Sequence, residues 1–196
     1  MYYFVRHGET ELNKKRIINA FDTPLNEKGR EQAAASAALL KGKDIKKLYA
    51  SDTARTVQSA EIINKALGLG LKIQADARLR EIGAGNLEGT GKQDDLWALY
   101  DEPEKHGLET LQSLFDRVRS FIGSIEPTES AIIICHGGVM HMIDYIYLEA
   151  EFNLERFNEI FKLINPKGYS NSEILQLDFG IPRHMRRFVN RQIQNF

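Results

Sequence analysis

The chain has 196 residues, a hydrophobic fraction of 42% and a formal net charge of −1 at pH 7. That length fits one domain of ordinary size, and the near-zero charge gives no whole-molecule field for nucleic acid or a membrane surface, so an anionic ligand needs a local cluster of cations. A single cysteine, Cys135, excludes a disulfide framework and a cysteine-rich zinc site; with no secretory leader visible and no apolar run near the roughly 20 residues that span a bilayer, the composition reads as a cytoplasmic globular domain.

Aromatic and β-branched residues from Tyr2 to Arg6 predict a short buried strand. From Asn26, a capping residue, the pattern turns helical, with Ala33, Ala34, Ala37, Ala38 and Leu40 on a small-residue face and Gly42 as its stop. Residues 47–50 read as a strand. Ser51 is then placed to cap a helix carrying Val57, Ala60, Ile63 and Leu67, ended by Gly68. Residues 71–73 read as a strand, and the glycine-rich 76–92 as a loop. Leu96, Leu99 and Tyr100 mark a short helix, and residues 108–125 a longer amphipathic one. Residues 131–135 form the clearest buried strand, followed by Gly137-Gly138 and a helix from about 139 to 148. Residues 172–179 alternate as a half-exposed or edge strand does. Strands alternating with helices predict an α/β sandwich with a mostly parallel sheet.

Two histidines stand just past predicted strands, each followed by glycine: Arg6-His7-Gly8-Glu9-Thr10 and Cys135-His136-Gly137-Gly138. In open α/β sheets ligands gather at the carboxyl ends of strands. Glycine at that point, here Gly8 and Gly137, lets the backbone turn and lets a ligand approach main-chain N–H groups. Between them lie Asn13 and Arg16, then Asp22-Thr23-Pro24-Leu25-Asn26-Glu27-Lys28-Gly29, Ser51-Asp52-Thr53-Ala54-Arg55 and Leu79-Arg80-Glu81-Ile82-Gly83. Arg55 falls in the first turn after Ser51-Asp52, near a helix N-terminus where anions are favoured.

In these segments, taken in order from Tyr3 to about Phe179, the sequence resembles the histidine phosphatase superfamily, also called the phosphoglycerate mutase-like family. The resemblance implies a three-layer α/β sandwich and assigns roles residue by residue. His7 is the nucleophile whose imidazole becomes phosphorylated. Arg6, Arg55 and His136 form the phosphate pocket, with Asn13 as a further donor and the backbone at Gly8 and Gly137 close to the ligand. Glu81 protonates the leaving group, with Glu9 and Glu88 as rival acids. The chemistry suits those residue types. Neutral imidazole is nucleophilic and common at pH 7, provided an acceptor, expected to be a backbone carbonyl, fixes its other ring nitrogen. Arginine forks match the oxygens of a transferring phosphoryl group. Arginines in place of a cation imply chemistry that needs no metal and no cofactor.

After Glu81 the run Ile82-Gly83-Ala84-Gly85-Asn86-Leu87-Glu88-Gly89 resembles the phosphatase branch, and residues 90–107 make only a short lid, with three aspartates and two glutamates. A mutase has to keep water from its intermediate. A phosphatase acting on a small phosphorylated metabolite is therefore expected, with a phosphoglycerate mutase-type isomerase and a non-catalytic phospho-ligand-binding module as alternatives. The sequence departs from the family pattern at Ile18-Asn19, where Asn19 is suited to a left-handed turn, at Ala84 and at Leu108. Arg16 and Arg80 read as ion-pair partners, His106 and His141 as surface, Cys135 as core, and Asn171-Ser172 as a segment closing the pocket. The histidine phosphatase domain is drawn over 1–182, with 76–110 as lid, and 183–196 as a basic amphipathic tail with four arginines and no acid. Its residues Met185, Phe188, Val189, Ile193 and Phe196 at helical spacing suit a packed helix, a homodimer contact or a cap over the pocket.

Overall fold

The computed structural model describes residues 1–91, 99–100, 102–126, 128–164, 167–186 and 192–194. Six strands form one sheet: β1 (Tyr2–Arg6), β2 (Lys47–Ala50), β3 (Ile73–Ala75), β4 (Ala131–Cys135), β5 (Ile174–Leu177) and β6 (Gln192–Gln194). Their order is β3-β2-β4-β1-β5-β6. The first four in that order run parallel, β5 lies antiparallel to β1, and β6 antiparallel to β5.

The central pair β1 and β4 is buried on both faces, as strands covered by helices on both sides must be. Tyr2, Phe4, Ala131, Ile133 and Cys135 join one apolar cluster, and Tyr3, Val5, Ile132 and Ile134 the other. The strict alternation follows from the two-residue period of a strand. The first cluster is completed by helices α4 (Leu111–Ser124), α5 (Gly137–Leu148) and α6 (Leu154–Ile164). The second is completed by α2 (Glu27–Leu40) and α3 (Ala54–Leu67), the short α1 (Glu11–Lys14) lying between β1 and α2 in the chain. The result is the expected three-layer sandwich. Helix α5 is buried from Gly138 to Tyr147, which explains why its sequence shows no polar face. Among the described residues no helix is long and apolar enough to cross a membrane.

Several local expectations hold. Asn26 caps α2 by accepting from the Gly29 N–H at 2.8 Å, and Gly68 ends α3 in the left-handed conformation, φ 64°. Others are corrected. The N-cap of α3 is Thr53, not Ser51; Ser51 is buried, and its carbonyl accepts from Thr56 Oγ1 at 2.7 Å. The third strand falls at 73–75, where Leu48, Tyr49 and Ala50 pair with it. β5 is not an edge, because β6 from the tail pairs with it. Helical spacing across 183–196 thus does not yield one helix: the described parts are α7 (Arg183–Arg186) and β6. Arg186 anchors the start of this tail. It donates to the carbonyls of Ile181, Tyr147 and Phe179 at 2.8–3.0 Å and lies over the rings of Tyr147 and Phe179. α6 was not marked by the sequence pattern. Phe188, Val189, Phe196 and Leu96 lie outside the described residues. The segment 76–110 contains 3-10 turns at Ala77–Leu79, Gly85–Leu87 and Pro103–His106.

Ile133 is fully buried at the centre of β4, with Phe4 and Tyr49 as its register partners. Ile133→Ala should lower the free energy of unfolding by about 2–5 kcal/mol, read from urea denaturation followed by circular dichroism.

Candidate active site

The parallel register pairs Arg6 with Cys135, so the residues that follow, His7 and His136, leave the sheet side by side. The His7 N–H continues the ladder to the Cys135 carbonyl at 3.0 Å. The two imidazoles meet edge to face, with ring centroids 5.2 Å apart. His7 is 2% exposed. Its Nδ1 lies 2.7 Å from the Gly8 carbonyl. A carbonyl only accepts, so Nδ1 carries the proton and Nε2 the lone pair. This is the backbone acceptor expected from the chemistry. Gly8 cannot be larger: a Cβ there would sit 2.1 Å from the Gly29 carbonyl oxygen. Its N–H donates to Ser59 Oγ at 3.1 Å, so that group is engaged by the protein itself.

A cavity of about 420 Å³ opens over His7, and Arg6, His7, Asn13, Arg55, Glu81 and Gly137 all line it. Arg6 donates through Nη1 to the Tyr169 carbonyl, and Arg55 through Nη1 to Ala20 at 2.9 Å and Phe21 at 3.3 Å. Nε of each guanidinium is buried and makes no hydrogen bond. Both arginines are thus positioned by carbonyls and keep their charge for a ligand. Burial brings the Arg55 guanidinium down to about 10, against which the nearby Glu81 acts, and it stays charged at neutral pH. Arg6 is lowered by burial as well.

His136 is fully buried and accepts at Nδ1 from Arg55 Nη2 at a long 3.4 Å. Nε2 is then the protonated nitrogen; it is buried and has no hydrogen-bond partner. Burial, and then the neighbouring Arg55, His7 and Arg6, hold His136 well below the usual histidine range. It is a neutral N–H donor beside His7, and it is not among the residues that line the cavity. Asn13 uses Oδ1 to accept from the Thr10 N–H (3.3 Å) and Asn171 Nδ2 (3.4 Å), which leaves its amide N–H groups for the cavity.

Glu81 is held at the cavity wall by two backbone donors. Its Oε1 accepts from the N–H of Gly138 at 3.0 Å and of Ile82 at 3.1 Å. Gly138 belongs to the first turn of α5, where N–H groups lack helical partners and favour negative charge. The backbone around Glu81 is stapled from α4. Arg117 donates to the carbonyls of Arg78 and Arg80 at 2.7 Å and of Glu81 at 3.1 Å, while Glu109 grips Arg117 at 2.7 and 2.8 Å. Burial would raise the Glu109 carboxyl, but Arg117 outweighs it and holds the group below the ordinary range. Of the rival acids, Glu9 bonds Asn26 and Lys28, and Glu88 lines the cavity on an exposed stretch.

Sequence reasoning passed over a clamp on Arg6 and His7. The Ser172 N–H donates to the carbonyls of Arg6 (3.0 Å) and His7 (3.3 Å), Asn171 Nδ2 donates to the His7 carbonyl at 3.0 Å, and the Arg6 N–H donates to Glu173. Ser172 adopts φ 63° to do so. Just before these residues, Tyr169 receives Arg6 and donates its hydroxyl to the buried Asp144 of α5. Asn171-Ser172 had suggested pocket closure; nothing in the pattern flagged Tyr169, Asp144 or Arg117. His141 is corrected: it is 6% exposed, lines the cavity and packs on Phe161 and Tyr169. His106 ends a 3-10 turn and is half-buried. Arg80 is an ion-pair partner of Asp52, and Cys135 is core, as expected. The left-handed residue before the site is Arg16, φ 55°, and not Asn19.

The mostly parallel sandwich and its strand-end histidines define a protein of the phosphoglycerate mutase-like fold. The chain belongs to the histidine phosphatase superfamily (branch 1), whose family model matches residues 2–160. It is similar to "Putative phosphoserine phosphatase 2" of Hydrogenobacter thermophilus, 33% identical over 72% of this chain and 75% of that one. It is also similar to "Probable phosphoglycerate mutase GpmB" of Escherichia coli, 33% identical over 69% and 68% of the two chains. Among solved structures, Bacillus stearothermophilus YhfR matches with TM-score 0.71 and 27% identity over 91% of this chain and 92% of that one. A mycobacterial glucosyl-3-phosphoglycerate phosphatase matches with TM-score 0.73 over 100% and 97%, and at 20% identity speaks for the fold alone.

Two measurements check this geometry. His136 binds its proton less readily when folded than at its ordinary value near 6.5. Below that pH the unfolded chain binds more protons, so stability falls as pH drops from about 6.5 toward the folded value. Urea midpoints at pH 7.5 and 5.5 should fall less in His136→Gln than in the parent. Tyr169→Phe removes the bond to Asp144 and should lower the affinity for inorganic phosphate by about 3–10-fold, read by calorimetry. Unchanged affinity would leave Tyr169 without influence on Arg6.

Proposed function

We propose that this protein is a phosphatase that hydrolyses small phosphate monoesters through a phosphohistidine on His7. The observation that carries the reading is the Nδ1–Gly8 contact, 2.7 Å long, which directs the nucleophilic lone pair to Nε2. Around it stand two buried guanidiniums and the His136 N–H with unmatched donors.

In the first half-reaction Nε2 attacks phosphorus as the P–O bond to the leaving alcohol breaks. Charge spreads over the three equatorial oxygens. Arg6, Arg55, His136 Nε2–H and the Asn13 amide stabilise it, being oriented before the reaction begins. The Glu81 carboxyl acts as general acid, giving a proton to the departing oxygen. In the second half-reaction Glu81, now ionised, takes a proton from water. The resulting hydroxide attacks phosphohistidine, the P–N bond breaks, and Nε2 regains its lone pair as phosphate leaves. The described residues supply the positive charge from arginines, and the expected activity is insensitive to chelator.

Mass spectrometry after rapid alkaline quench of a turnover mixture should find a phosphoryl group on His7, and phosphate release should vanish in His7→Ala. Arg55→Ala should lower kcat by about 10²–10³ and Glu81→Gln by about 10²–10⁴. Full activity in His7→Ala would sink the mechanism. Isomerisation of a phosphoglycerate without phosphate release would replace the hydrolase with a mutase.

A further inference from the structure

On the proposed function the floor of the cavity takes the phosphoryl group, and the outer wall meets what that group is attached to. Ile18, Phe21, Ile82, Ala84 and Tyr100 bring apolar surface to it. Phe21 is the most telling of these, because it lines the cavity yet is 45% exposed. A large apolar ring left open to solvent at a binding site marks a surface that a ligand covers.

Phe21 is also fixed in place. Its carbonyl accepts from Arg55 Nη1 at 3.3 Å, so its backbone is tied to a cation of the cup. Its segment is bonded to the far rim: the Ile18 N–H donates to Thr90 at 2.9 Å, and the Gly89 N–H donates to Ile18 at 3.0 Å. The Arg80 guanidinium lies 4.8 Å from the ring centroid. Arg80 is itself gripped by Asp52, Nε to Oδ1 at 2.8 Å and Nη2 to Oδ2 at 2.5 Å. One side of the ring is thus covered by a cation whose charge is already matched by a carboxylate.

The charges of the outer wall point the same way. Arg80 is balanced by Asp52, and the remaining described charges of the rim are Lys167 and Glu88, of opposite sign. Among the described residues a leaving group with a carboxylate or second phosphate would find no net positive field there beyond the cup. A leaving group with a flat apolar face would find Phe21, Ile18 and Ile82.

We infer that the preferred substrates are phosphate monoesters of uncharged alcohols bearing an aromatic or broad apolar group, with Phe21, backed by Arg80 and Asp52, as the residue that selects them. This rests on the hydrolase reading above and narrows it to a substrate class.

The test uses esters matched in leaving-group basicity, so that only the distal group differs. kcat/KM is measured for 2-phenylethyl phosphate, ethyl phosphate and 3-phosphoglycerate in the parent protein and in Phe21→Ala. The parent should prefer phenylethyl over ethyl phosphate by about 10-fold or more, the scale of filling an apolar pocket, and should turn over 3-phosphoglycerate more slowly than phenylethyl phosphate. Phe21→Ala should narrow the phenylethyl-to-ethyl ratio to within about threefold of unity. A parent ratio near one, faster turnover of 3-phosphoglycerate, or a ratio unmoved by Phe21→Ala would overturn the inference. Calorimetry with 2-phenylethylphosphonate and ethylphosphonate separates this from failure of the hydrolase reading. If no ester releases phosphate, tighter binding of the phenylethyl compound, lost in Phe21→Ala, still supports the selector, and equal binding refutes it.

Discussion

The site depends on one hydrogen-bonded ladder, the parallel pairing of β1 with β4. A strand alternates its side chains with a period of two, and a slip of one residue would turn every side chain to the opposite face. Here both faces are filled, so neither strand can slip without exposing one cluster and breaking the other. That double burial fixes Arg6 against Cys135. Two residues 129 positions apart, His7 and His136, are thereby brought into ring contact. The histidines need no contact of their own to find one another; the core places them.

The cup that results is costly to the folded protein. Buried donors without partners each forfeit hydrogen bonds that water would supply, and Arg6, Arg55 and His136 all carry such atoms. Pairing the guanidiniums with carboxylates would relieve this but would cancel the field that the proposed phosphoryl transfer needs. The protein instead positions both arginines with carbonyls, which hold a guanidinium without neutralising it. Where a full carboxylate pair occurs, as Arg117 with Glu109 or Arg80 with Asp52, the arginine supports structure around the cup. The partner of an arginine thus separates the two kinds.

Much of this was readable from the sequence because strand ends and helix starts have local chemistry. Apolar runs bound β1, β2 and β4 as the structure does, and His7, Arg55, Glu81 and His136 stand in recognisable segments. The clamp from Tyr169 to Glu173 and the Arg117 staple were not legible. Each works through backbone carbonyls, and a carbonyl is present at every residue, so no residue type announces it. His141 reads as surface in the sequence because a lone polar residue usually faces solvent, whereas α5 is buried from Gly138 to Tyr147. The tail shows the same limit, since a short strand added to a sheet edge draws on backbone pairing that helical spacing does not record.

The two glycines after His136 illustrate how a short motif divides its labour. A Cβ at Gly137 would meet Arg6 Nε at 3.6 Å, an ordinary contact, whereas one at Gly138 would lie 2.5 Å from Glu81 Oε1. The second glycine therefore makes room for the carboxylate and offers it an N–H from the first turn of α5. The same helix carries Asp144, which receives Tyr169 and through it the Arg6 contact. Glu81, His136 and Arg6 are consequently all referred to a single buried helix. Loops with independent attachments would let each group drift separately. Rigid attachment to one element holds the distances among these residues nearly constant, which is what the proposed mechanism requires of preorganised electrostatic stabilisation.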